Sequence, residues 1–231
     1  GHATYSLYQE GLSQIQISKL NEDRSGRIWV GTMDGVCIFS PESQTFESPL
    51  TNPMLKLGSV KEIEQDREGK TWFASIRGLF SEEGDSVMLP GFEGSTSGVR
   101  FCFDANNYLW YVHRERGRVY CVVNDRHHAL DSLLPDLQGC PFAEVHYHET
   151  SKRIFLSTKD GGYYFLNIEK RYAEKLEVDS LEMVKVTHHN EIYTFSQKGM
   201  FRIGPDGSKN WVMDLPREDW KQIQCLDIGL E

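Results

Sequence analysis

The stretch NEDRSGRIWVGTMDG, Asn21 to Gly35, reads as a tryptophan strand held between two tight turns. The stretch EQDREGKTWFASIRG, Glu64 to Gly78, repeats it 43 residues later. With Trp29 and Trp72 aligned, the same position falls next on Trp110 in FCFDANNYLWYVHRERG, 38 residues further. Phe155 in VHYHETSKRIFLSTKDG follows after 45 residues, and Tyr193 in VKVTHHNEIYTFSQKG after another 38. The unit therefore recurs five times at a mean spacing of about 41 residues, always with an aromatic at the key position.

Each unit has one grammar. A short alternating strand comes first (ISKLNED, VKEIEQD, VRFCFD, FAEVHYH, MVKVTHH), with apolar residues at every second position marking one buried face. A polar turn follows. Asp23 and Asp66 can accept from their own backbone two residues on, and Gly26 and Gly69 supply positive φ; the third unit uses Asn106 and Asn107 instead. The aromatic strand is next, ending in a Ser/Thr-x-x-Gly turn built on Thr32, Ser75, Thr158 or Ser196 with Gly35, Gly78, Gly161 or Gly199 at the corner. In the first unit the aromatic strand, RIWVGT, includes Gly31. The third unit departs here, running through VHRERG to Gly117. A third strand and usually a fourth complete the unit.

Four short antiparallel strands repeated every forty-odd residues are one blade of a β-propeller, which buries its two faces only when blades stack. The fold class predicted is thus all-β: a propeller of five complete blades, at about 17–50, 60–92, 99–124, 142–178 and 183–215. Partial strands at 4–9 and 221–228 read as an outer and an inner strand of one further blade, so residues 4–231 are expected to be a propeller fragment. Residues 1–3, GHA, read as a tag remnant. The open blade faces and edges of such a fragment predict self-association.

Composition narrows the function. Of 231 residues, 39% are hydrophobic and 26% charged, which suits a globular chain with a core. A net charge of −9 argues against a nucleic-acid groove or an anionic membrane surface, and no apolar run approaches the roughly 18 residues of a membrane span. Five cysteines (Cys37, Cys102, Cys121, Cys140, Cys225) without CxxC spacing predict buried thiols rather than a disulfide framework or zinc site.

Asp23, Gly26, Ile28, Trp29, Val30, Gly31, Thr32 and Gly35 together resemble the two-component regulator propeller repeat. Asp66, Gly69, Trp72 and Gly78 match it in the second unit and Trp110 and Gly117 in the third, while the last two units keep the aromatic, the hydroxyl and the glycine. The resemblance implies a periplasmic sensor region of a hybrid two-component system from Bacteroidetes-like bacteria. Such a region is joined through a β-sandwich domain and a membrane helix to a histidine kinase, and many such receptors detect oligosaccharides. By that implication this chain binds a ligand without catalysis or cofactor, and the kinase chemistry lies outside it.

The site expectation rests on the two longest departures from the repeat, both in the third unit: the turn His113–Gly117 and the connector Asn124–Pro141. Arginines and histidines there could hold a sugar through bidentate polar contacts, which makes His113, Arg114, Arg116, His127 and His128 the candidate ligand residues. His146 and His148 share a strand face, and His188 and His189 fill the matching turn of the next unit. Two convergent ligands fall short of a metal site, so none is expected. Sialidase Asp-boxes fail on spacing, since two residues separate Asp from Gly here where one is required. Two alternatives stay open: an interaction or dimerisation scaffold, and a streptogramin-lyase-like enzyme using a histidine base beside a metal.

Overall fold

The computed structural model describes residues 16–47, 57–75, 78–90, 99–177, 183–187, 191–196 and 198–214. The expectations for residues 1–3, for strands 4–9 and 221–228, and for His188, His189 and Cys225 lie outside these residues. The described chain forms a β-propeller of five four-stranded antiparallel blades, with the strands of each blade in sequence order. Blade 1 comprises β1 (Ile17–Glu22), β2 (Ile28–Thr32), β3 (Gly35–Ser40) and β4 (Thr45–Glu47), and blade 2 comprises β5 (Val60–Gln65), β6 (Thr71–Ser75), β7 (Gly78–Ser81) and β8 (Ser86–Val87). Blade 3 comprises β9 (Val99–Phe103), β10 (Leu109–His113), β11 (Arg118–Val123) and β12 (Arg126–Ala129). Helix α1 (Leu130–Leu133) and a 3-10 turn at Pro135–Leu137 lead from it into blade 4, which is β13 (Phe142–His148), β14 (Arg153–Thr158), β15 (Tyr163–Asn167) and β16 (Tyr172–Lys175). Blade 5 is β17 (Met183–Val186), β18 (Ile192–Ser196), β19 (Gly199–Ile203) and β20 (Lys209–Met213). The chain forms two compact units that divide at Val99, blades 1 and 2 before it and blades 3 to 5 after it.

One difference from the sequence reading concerns blade 3. Its fourth strand, Arg126–Ala129, lies inside the stretch expected to be connector, so the blade runs past residue 124. Its residues alternate between exposed (Arg126, His128) and half-buried (His127, Ala129), but a histidine and an alanine make the covered face, so RHHA shows no apolar alternation to read.

Within each unit the key aromatics pack blade against blade. Trp29 is fully buried with Val36, Leu57, Val60, Ile63 and Phe73, its ring 5.3 Å from that of Phe73 in the next blade. Trp110 (2% exposed) belongs to the cluster containing Phe142, Val145, Tyr147 and Leu156, and Phe155 (1%) to that of Phe165, Ile192 and Ile203. Tyr193 is buried as well. Trp72 holds the same register position but is half-buried, while its neighbour Phe73 is fully buried against Trp29 of blade 1.

A recurring clasp locks the first three aromatics. Asp23 Oδ1 accepts from the backbone N–H of Ser25 (2.9 Å) and Arg27 (3.0 Å), while Oδ2 accepts from the Trp29 indole N–H (2.8 Å). Asp66 does the same with Glu68, Lys70 and the Trp72 indole (2.9 Å), and Asp104 with Asn106, Tyr108 and the Trp110 indole (2.9 Å). One carboxylate thus ends the inner strand, shapes the turn and fixes the ring of the next strand. Burial pushes the Asp23 carboxyl up, but the indole and the Arg27 and Ser25 contacts outweigh it and hold it below the usual carboxylate range. Gly26 (φ 78°), Gly69 (φ 90°) and Asn107 (φ 62°) take the left-handed corner of these turns.

Blades 4 and 5 have neither the aspartate nor the indole of the clasp, although Thr187 Oγ1 still accepts from the Glu191 N–H at 3.2 Å. The strand register puts His148 and Thr187 where Asp stands in blades 1 to 3, facing aromatics without an indole N–H. His148 is fully buried, with Nδ1 2.8 Å from Ser151 Oγ and its ring 5.5 Å from Phe165. Burial holds its pKa below the usual histidine value against the nearby Glu191 carboxylate. Here Arg153 does the joining: it binds Glu174 (2.6 Å), reaches the Pro205 carbonyl of blade 5 (2.7 Å) and lies 4.3 Å above Phe165.

Three of the four described cysteines lie buried in strands as expected, whereas Cys140 is half-buried in the connector before β13. Cys37, Cys102 and Cys121 are buried, the described four are all free thiols, and burial pushes Cys37 up to about 11 and Cys121 up to about 12.

Trp110→Phe removes the indole donor and leaves the Asp104 carboxylate short of one charge-assisted bond, so it is expected to lower the unfolding free energy by about 1.5–3 kcal/mol. Urea unfolding of Trp110→Phe, Asp104→Asn and the double variant is expected to show a double-mutant cost well below the sum of the single ones. Additive costs would mean that the clasp carries no energy of its own.

Candidate functional site

The site is assembled where blade 3 leaves the repeat. After β12 the chain turns into α1 and the 3-10 turn, held by backbone bonds from Leu134 N to Leu130 O (2.8 Å) and from Leu137 N to Leu134 O (3.0 Å). Leu130, Leu134 and Leu137 are buried in the core cluster of blades 3 and 4, so the connector is pinned to the blades rather than loose in solvent. It returns through Gly139, Cys140 and Pro141 to β13, whose first N–H, that of Phe142, donates to the Gly117 carbonyl at 3.1 Å. The β10–β11 turn and the connector are thereby tied together.

Between them lies a cleft of about 380 Å³. Val119, Leu130, Leu137 and Phe142 form its apolar floor, and Arg116, Arg118, Asp131 and Gln138 its polar walls. That volume sits toward the lower end of small-ligand pockets, roughly 300–1,000 Å³. Gly117, in the left-handed region at φ 64°, lies where a Cβ would come 2.8 Å from Pro141 Cα and 3.2 Å from its carbonyl carbon. Only glycine lets the turn approach this backbone.

The five residues singled out from the sequence do not converge. Arg116 lines the cleft and is exposed. Arg114 is committed elsewhere: Glu144 holds it at 3.5 Å and Arg100 at 3.1 Å, a link from blade 3 to blade 4. His113 ends β10 with 5% exposure. His127 and His128 sit on β12 opposite Val122 and Cys121, just ahead of Leu130, and neither of them lines the cleft. His127 Nδ1 lies 2.9 Å from the hydroxyl of buried Tyr111, and burial and then the neighbouring His128 lower its pKa. Sequence reasoning missed Arg118, Asp131, Gln138 and Phe142. The signal available was the spacing of Leu130, Leu134 and Leu137, which is that of a helical apolar face and implies a connector packed against the blade.

Among the described residues no group of three or more His, Cys, Asp or Glu side chains could hold a metal ion. None of the described helices is long and apolar enough to cross a membrane.

Blades and cleft together define a β-propeller with a walled pocket at a blade junction. Residues 11–34 match the family described as the two component regulator propeller, the same repeat that the sequence suggested. No curated protein matches the chain significantly in sequence. Among solved structures, the chain is similar to virginiamycin B lyase from Staphylococcus aureus at 12% identity and a TM-score of 0.63, over 91% of this chain and 74% of the lyase. It is also similar to two extracellular domains from B. thetaiotaomicron assigned to hybrid two component systems. One aligns at 13% identity and TM-score 0.60 over 83% of this chain and 28% of that one. The other aligns at 16% and 0.62 over 93% and 34%. The chain thus spans about a third or less of either extracellular domain. At these identities the likeness establishes the fold.

Gly117→Ala is expected to lower stability by about 1–3 kcal/mol, combining left-handed strain with a clash against backbone that cannot swing aside. Gly139→Ala has the same strain at φ 82° but nothing within 4 Å of the added Cβ, so thermal unfolding is expected to show it clearly milder. Equal losses would remove the close approach from the account of the cleft.

Proposed function

We propose that this chain is the ligand-sensing part of an extracytoplasmic sensor, periplasmic in location, binding an oligosaccharide and passing the signal to a histidine kinase beyond it. The observation that carries this reading is the two component regulator propeller repeat at residues 11–34, set in a propeller similar to extracellular domains of such systems. The cleft supports it. A sensor needs a pocket on rigid elements, and this one is built from a tight turn and a connector anchored by three buried leucines. The reading is non-catalytic: Arg116, Arg118, Asp131 and Gln138 offer hydrogen bonds and charge that hold a ligand.

A second reading, a docking scaffold for another copy, draws on β20. All five of its residues are exposed, with Trp211 at 61% and Met213 at 48%. Such an edge invites strand pairing. The lyase reading draws on the fold likeness alone and would require turnover that chelation abolishes.

Thermal unfolding against a panel of oligosaccharides separates these readings. A cognate sugar at a hundred times its Kd is expected to stabilise the protein by about 2.7 kcal/mol, with the midpoint rising further with concentration. Midpoints unmoved by every sugar, together with sedimentation that shifts with protein concentration, would select the scaffold instead.

A further inference from the structure

The walls of the cleft are unusual for this chain. The protein carries a net charge of −9, yet two guanidinium groups, Arg116 and Arg118, flank Gly117 at the cleft's edge. Both are exposed, and among the described residues neither makes an ion pair, whereas Arg114 beside them shares Glu144 with Arg100. The one carboxylate of the lining is Asp131 on α1, and Gln138 adds an amide. The one aromatic ring of the lining, Phe142, is only 3% exposed and offers no open face for a sugar ring to stack on.

These facts favour a particular chemistry. A neutral sugar would draw less from such a site, since its stacking platform is covered and its hydroxyls offer the arginines only uncharged acceptors, one bond at a time. A carboxylate or sulfate gains paired, charge-assisted bonds from a guanidinium fork, roughly twice as strong. A bare inorganic anion would meet Asp131 with nothing to donate to it, whereas a sugar hydroxyl can donate there. We infer that the cleft takes an acidic sugar unit, its carboxylate or sulfate on Arg116 and Arg118 and its hydroxyls on Asp131 and Gln138. This deepens the oligosaccharide-sensing reading and rests on it.

The test measures binding of tetragalacturonate, a sulfated galactose tetramer, the neutral galactose tetramer and sodium sulfate to the intact chain by titration calorimetry. At least one acidic tetramer is expected to bind at least about tenfold more tightly than the neutral one and to weaken as salt rises. Arg116→Ala/Arg118→Ala, two exposed changes that leave the core untouched, is expected to abolish that preference while its melting temperature in buffer stays unchanged. A neutral tetramer that binds as tightly as both acidic ones overturns the inference and leaves the sensor reading standing. So does acidic binding that survives the double substitution, or sulfate ion binding as well as the tetramers. No binding by any of the sugars overturns the inference and counts against the sensor reading as well.

Discussion

The architecture depends on how a carboxylate at the end of an inner strand is satisfied. Asp23, Asp66 and Asp104 each accept two backbone amides of the following turn through one oxygen and an indole N–H through the other. A buried carboxylate without donors is costly, and a buried indole N–H without an acceptor is costly too. Each removes the other's penalty. The arrangement also couples local to tertiary order, because the ring so oriented in blades 1 and 3 is the one that packs on the next blade. Where the aromatic has no indole N–H, the carboxylate is gone as well, and His148 or Thr187 stands in its place.

Joints between blades then follow the length of the repeat. Arg24 N reaches Gln65 Oε1, Ser18 reaches the Val60 carbonyl and Thr150 reaches Glu191, all across 41 or 42 residues, and Lys19 pairs with Glu62 across a similar interval. Arg27 adds a second stitch, holding Asp23 and Glu82 at once while lying 4.9 Å over the Trp29 ring. Such pairs contribute little singly at the surface. Their use here is registry: opposite charges at corresponding positions of adjacent blades favour one stacking over a slipped one. The cleft arises where this periodicity is broken, at a turn and connector that no repeat constrains, and there the charge pattern serves something other than a neighbouring blade.

Much of this was open to reading in advance, for physical reasons. Turn glycines and alternating strands are local, so Trp29, Gly35, Asp66, Trp110 and Gly117 declared blades without any knowledge of contacts. The backbone half of the Asp clasp was equally local. Its indole half spans six residues and a strand reversal, although the loss of Asp together with Trp in the last two units was a visible clue. The site was less legible. His127 and His128 look like loop ligands by composition, yet they belong to an outer strand whose half-buried face is made by His127 and Ala129, which leaves no apolar pattern. Arg114 resembles Arg116 in sequence, and only Glu144, thirty residues away, separates a structural arginine from an uncommitted one. Sequence distance hides such competition between partners.

Hydrogen exchange of the individual tryptophan indole N–H groups, followed by nitrogen-resolved NMR, tests the central claim most directly. The account predicts that the indole protons of Trp29, Trp72 and Trp110 exchange slowly, and that each accelerates when its own aspartate is changed to alanine. Trp211, exposed on β20, should exchange at the rate of a free side chain. Slow exchange unaffected by Asp23→Ala or Asp104→Ala would show that burial alone protects these rings, and exchange of all three as fast as Trp211 would contradict the clasp outright.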